Sequence, residues 1–144
     1  MKYFFFSLLF FFITQFTIAG HSTELVEVYL INHLDEKRGY CVDIRGYKSK
    51  AKVAKGLQAH TCYSYQGVVA VDQGFQKSRL INNEFFIPKF LVCMTAIRLQ
   101  KNSQLMLSKC DNNIKQSFKL GVDKRIRPSE VPKLCLAIAQ GSPK

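Results

Sequence analysis

Beyond residue 20 the apolar positions fall in short runs separated by Gly, Asn, Asp and Lys, a strand-and-turn texture rather than a helical one. The strongest runs lie at 26–31, 40–44, 67–71, 90–97 and 105–107, and they predict β-strands. No window sustains a helical apolar period with a cap. One apolar stretch stands apart. Tyr3 to Ile13 is nearly unbroken and rich in Phe, follows Met1-Lys2, and gives way to Thr17-Ile18-Ala19. A charged start, a short apolar run and small residues at the cut form the pattern of a secretory signal. Residues 1–19 are therefore expected to be removed, and the rest to be secreted or periplasmic with no stable membrane anchor.

Within the strand pattern one charge is out of place. Asp43 sits in Tyr40-Cys41-Val42-Asp43-Ile44, and aspartate is among the residues that strands usually exclude. Aligning the chain on Cys41, Cys93 and Cys135 shows that the surrounding frame recurs: YCVDI, VCMTAI, LCLAI. The aspartate does not, because Thr95 and Ala137 take its place. After the first two frames a second cysteine follows 21 or 17 residues later, as Cys62 and Cys110. Then come Gln73-Gly74-Phe75 and Gln116-Ser117-Phe118, and shortly after them Ile81 and Ile126. A repeat of roughly 40 to 50 residues holding several short strands points to an all-β fold of radial units.

The combination GYCVDIRG, GLQAHTC and VDQGF resembles the ricin-B-type (R-type) β-trefoil lectin domain, whose repeats carry a Cys-apolar-Asp start, a second Cys and a Gln-x-Trp. The resemblance runs from about Val26 to the end. It implies a β-trefoil domain over 20–144, with repeats at about 25–82 and 83–125 and a partial one at 126–144. It also chooses among the pairings that five cysteines leave open, because this family closes one disulfide inside a repeat. Cys41 would bond Cys62, Cys93 would bond Cys110, and Cys135 would stay alone; each such loop is worth about 3 kcal/mol. The chain departs from the family in two places. Phe replaces Trp in both Gln-x-aromatic motifs, and the chain has no Trp. The sequence also ends nine residues after Cys135, where a full third repeat should need roughly another 30, so a truncated third repeat or a fragment is expected.

The resemblance further implies one shallow sugar site per intact repeat. Asp43 stands where the family's carboxylate accepts hydrogen bonds from two neighbouring sugar hydroxyls. Gln58 stands at the helping polar position, His60 at the stacking aromatic, and Asp72 and Gln73 at the polar pair that completes the site. A carboxylate, an amide and a flat ring answer the paired hydroxyls and the C–H face of a neutral sugar. In the second repeat Thr95, Met106 and Ser108 replace the first three, leaving only Lys115 and Gln116; in the third only Ala137 is present. One site is expected, in the first repeat, and a single shallow site binds weakly without arrays. Each residue also has a plainer role open to it. Asp43 could cap backbone N–H groups near Arg45 and Gly46, Gln73 and Gln116 could be structural, and His60 could be merely exposed.

Charge bears on the partner. The formal net charge of +11 falls by one when Lys2 leaves with the signal, and such an excess favours polyanions. For an exported chain anionic polysaccharide or cell-surface glycoconjugates come before nucleic acid, which is not expected. Lys48, Lys50, Lys52 and Lys55 form a basic run beside the site; alternation would set three of them on one strand face, whereas a solvated loop is the commoner outcome. Asp72 stands where the family most often has Asn, and it brings a second carboxylate near Asp43. Such a pair either raises one pKa or recruits a cation, a metal ion or an aminated sugar. No Cys-x-x-Cys set marks a metal centre, and no hydrolase or phosphate-loop motif occurs, so neither cofactor nor enzyme activity is expected. The functions left open are a secreted carbohydrate-binding protein, a trefoil acting as a structural or protein-interaction module, and a basic adhesion domain for anionic surfaces.

Overall fold

The structure is a computed structural model describing residues 24–139, so the expected signal segment lies outside the described residues. The protein is all-β. Its strands are β1 (Leu25–Val26), β2 (Tyr40–Ile44), β3 (Leu57–Thr61), β4 (Phe75–Gln76), β5 (Phe86–Ile87), β6 (Val92–Ala96), β7 (Leu105–Ser108), β8 (Phe118–Leu120) and β9 (Ile126–Pro128). The one α-helix among the described residues, α1 (Lys77–Leu80), is a single turn. Two antiparallel hairpins dominate, β2–β3 and β6–β7, the latter extended by β5. Smaller pairs, β1–β4 and β8–β9, complete four sheets.

The cysteine frames are structural repeats. In each, the apolar residue after the cysteine donates its N–H to a carbonyl of the preceding segment: Val42 to Val28 at 2.9 Å, Met94 to Phe85 at 3.0 Å and Leu136 to Ile126 at 2.8 Å. The third frame thus opens as the first two do. The expected disulfides form, Cys41–Cys62 and Cys93–Cys110, and Cys135 is free and exposed.

The core explains the Gln-x-Phe motif. Phe75 and Phe118 stand on either side of Phe85, each edge-on to it, with ring centroids 5.8 and 6.1 Å apart. Ile44, Ile87, Met94 and Leu107 fill the space around them. Phenylalanine is therefore sufficient where the related pattern has tryptophan.

Two strand expectations need correction. The run at 67–71 is not a strand: a 3₁₀ turn (Ser64–Gln66) and left-handed Gly67 swing it outward, and Val68 is exposed. The run at 26–31 is a strand only at Leu25–Val26, because its later residues reach β2 through single bonds, Leu30 N–H to the Tyr40 carbonyl among them. The lysine run lies in the connection between β2 and β3, a loop rather than a strand face, with Lys48–Lys50 and Val53–Lys55 forming two 3₁₀ turns.

Those turns close the β2–β3 hairpin and depend on Gly46. Its φ of +142° lies outside the range of L side chains, and a Cβ there would stand 2.5 Å from the Ala51 Cα. Backbone cannot yield as a flexible side chain would, so Gly46→Ala is expected to cost about 2 kcal/mol, read as a lower urea midpoint at unchanged m-value.

Candidate functional site

The β2–β3 register brings the expected site together. Cys41 pairs with His60 and Asp43 with Gln58, so Asp43, Gln58 and His60 project from the same face of the hairpin. The second frame repeats the register with Thr95 opposite Met106 and Cys93 opposite Ser108. The residues aligned by sequence are therefore aligned in space.

Gln73 is a brace. Its Nε2 donates to the Thr61 carbonyl at 2.9 Å and to Asp43 Oδ2 at 3.2 Å, while its Oε1 accepts the Tyr63 N–H at 3.0 Å. Thr61 and Tyr63 flank Cys62, so one amide grips the chain on both sides of the disulfide. Gln116 does the same around Cys110, donating to the Lys109 carbonyl at 2.8 Å and accepting the Asp111 N–H at 3.0 Å. Both amides are buried, which gives the glutamines a positioning role in each repeat.

What differs is the group each brace meets inside. In the second frame Gln116 donates to Thr95 Oγ1 and Ser108 Oγ, and those hydroxyls bond each other at 2.8 Å, leaving a closed neutral network. In the first frame the brace meets a carboxylate that is 1% exposed. Asp43 Oδ2 takes the Gln73 bond and lies 3.5 Å from His60 Nδ1, but Asp43 Oδ1 is buried with no hydrogen-bond partner among the described residues. Beside it Asp72, fully buried, accepts the Lys48 backbone N–H at Oδ2 and also leaves Oδ1 without a partner. Asp43 caps no turn: the plainer role considered for it is replaced by a side-chain bond.

The electrostatics follow from this burial. Loss of solvent pushes the Asp43 carboxyl up from 3.8 to about 6; the Gln73 hydrogen bond opposes that, the Asp72 charge adds to it, and His60 and Gln58 favour the ionised form. Burial also raises the Tyr63 hydroxyl, helped by the Asp43 and Asp72 carboxylates.

Above the buried acids lies an open cleft of about 670 Å³, lined by Arg45, Gly46, Lys55, Gln58 and His60. Gln58 and His60 are half-buried and form its wall, whereas Asp72 and Gln73 lie behind it. Tyr63 stands 5.6 Å from the His60 ring, and the Lys48 ammonium sits over Tyr47 and Tyr63 at 5.4 and 5.9 Å. Arg45, Tyr47 and Tyr63 were not anticipated from sequence. Arg45 falls two residues after Asp43, the strand period that returns to the same face, and that spacing was the available signal.

Two other acid–sulfur groups occur, Glu27 with Cys41 and Cys62, and Glu84 with Cys93 and Cys110. The sulfurs are committed to disulfides and offer no thiolate to a metal. The 3.2 Å approach of Cys93 Sγ to Glu84 Oε1 is accordingly a contact, not a hydrogen bond, since that sulfur carries no proton. Among the described residues no helix is long and apolar enough to cross a membrane. The chain matches no family model and no curated protein.

Proposed function

We propose that the protein is an exported carbohydrate-binding protein of ricin-B-like β-trefoil type, with one sugar site in its first repeat. The observation that carries this reading is the contrast between Asp43 and Thr95. At the same register, behind the same glutamine brace, one repeat closes its polar network and the other keeps a buried carboxylate with an oxygen to spare. The fold tolerates a neutral group there, so the acid serves something other than folding. A sugar offers the hydroxyl donors that Asp43 Oδ1 lacks. Gln58 and His60, half-buried over Asp43, part to admit the ring and then contact it, Gln58 by hydrogen bonding and His60 by stacking. Gln73 positions Asp43, and Asp72 holds the Lys48 turn against the site. The two disulfides suit an oxidising compartment, as export requires.

The test is a broad glycan array probed with the oxidised mature protein and with Asp43→Ala. Binding to a defined glycan that disappears in the variant supports the site. Silence from the wild type favours a structural or protein-interaction module. Binding that ignores Asp43 and vanishes in moderate salt points to adhesion through the basic surface.

His60→Ala should weaken binding only about two- to twelvefold, because ring stacking contributes about 0.5 to 1.5 kcal/mol. Calorimetric titration with the array ligand checks this, and a complete loss would mean that His60 does more than stack.

A further inference from the structure

The cleft holds cations as well as acceptors. Arg45 and Lys55 both line it, both are exposed, and neither makes a salt bridge or side-chain hydrogen bond among the described residues. Nearly every other arginine in the described region is engaged: Arg38 with Glu36, Arg79 with Glu84, and Arg125 and Arg127 with Asp123. The groups follow one another along a single hairpin face. His60 lies opposite Cys41, Gln58 opposite Asp43, and Arg45 beyond them, its N–H bonded to the Gly56 carbonyl and so beside Lys55 at the turn. Two residues of strand span about 7 Å. A stacking ring, an acceptor pair and a cation pair therefore stand about one sugar width apart in turn.

Resting on the reading of this cleft as a sugar site, we infer that its ligand is an acidic sugar, a ring whose hydroxyls reach Asp43 and Gln58 and whose carboxylate or sulfate lies between Arg45 and Lys55. The two charge types do not conflict, because they occupy different ends of the cleft. The Asp43 and Asp72 carboxylates are buried behind its wall, while the guanidinium and ammonium stand in the open. An anion at the turn gains charge-assisted hydrogen bonds there, and arginine offers the planar fork that a carboxylate or sulfate fits.

Calorimetric titration at fixed physiological ionic strength tests the inference. The probes are tri-galacturonate, its neutral counterpart trigalactose, and trigalactose bearing sulfate. The wild type should bind at least one acidic probe about tenfold or more tightly than the neutral one. Which of the two does so separates carboxylate from sulfate. In the double variant Arg45→Gln/Lys55→Gln, at two exposed positions, that ratio should collapse to about one, with the thermal melt confirming the fold. Asp43→Asn should abolish binding of the acidic probe. Equal wild-type binding of acidic and neutral probes overturns the inference and leaves the sugar site standing. A ratio that survives the double variant also overturns it. Acidic binding that survives Asp43→Asn reduces it to polyanion adhesion, and binding of none of the probes by a protein that is also silent on the array removes the sugar site itself.

Discussion

Asp43→Asn is expected to make the protein more stable at pH 7 while abolishing the sugar binding proposed for it. The acid is buried and its pKa is raised from 3.8 to about 6, so the folded chain holds the proton more tightly than the unfolded one. Stability contributed by this group is greatest below about pH 4 and falls as the pH rises toward 6, where the carboxyl ionises inside the fold. The difference amounts to about 2 to 3 kcal/mol at neutral pH. Asparagine keeps an oxygen for the Gln73 Nε2, removes the charge facing Asp72, and should recover much of that cost. Thermal melts from pH 3 to 8 would show a wild-type decline between about pH 4 and 6 that the variant lacks. Sugar binding should move the opposite way. Ligand hydroxyls donate to the ionised carboxylate, so wild-type affinity falls as pH drops below about 6, and the variant shows none. A group that costs stability and confers binding is the signature of a functional residue. Equal loss of stability and binding would make Asp43 structural.

The second large effect is on Gln73. Alanine at this position removes three hydrogen bonds, taking a partner from the partly buried Thr61 carbonyl and Tyr63 N–H and from the buried Asp43 carboxylate. Each unmade buried bond costs about 1 to 3 kcal/mol, and the carboxylate lies at the upper end, so Gln73→Ala should lose about 4 kcal/mol or more. Gln116→Ala strands groups only in a neutral network whose hydroxyls still bond each other, and should lose less. Urea denaturation of both variants gives the comparison. Pairing Gln73→Ala with Asp43→Asn should restore part of the loss, because the stranded charge is gone. If Gln73→Ala and Gln116→Ala cost the same, and Asp43→Asn restores nothing, the carboxylate is not held as described.

The two repeats were legible in the sequence because their marks are chemical rather than conformational. A cysteine between apolar residues, a second cysteine and a Gln-x-Phe each perform a fixed task, as disulfide, brace and core wedge. The all-β character and the hairpin strands β2 and β6 followed from them. β3 was not legible. Its five residues, Leu-Gln-Ala-His-Thr, are all half-buried and include only one strong strand-former, Thr61, so it is pairing with β2 that makes them a strand. The run at 67–71 misled in the opposite sense, since its β-branched residues belong to an arc that carries Asp72 and Gln73 back to the disulfide.

The five expected site residues do converge, but in two layers. Gln58 and His60 line the cleft, while Asp43, Asp72 and Gln73 are buried behind it. That depth depends on the turn through Lys48, whose backbone N–H caps Asp72, and a backbone donor leaves no trace in a side-chain pattern. Arg45 and Lys55 were hidden differently. A basic run in a positively charged chain gives no sign of which cations face a cleft.

On the proposed reading, Asp43 is a ligand-binding carboxylate held at a cost in its own repeat. The measurement that tests it most directly is the pH titration of the Asp43 side-chain ¹³Cγ shift by NMR, without and with the glycan selected on the array. The midpoint should lie near 6 in the free protein and move down as ligand is added. A midpoint in the ordinary carboxylate range of about 4, unmoved by ligand, would contradict it.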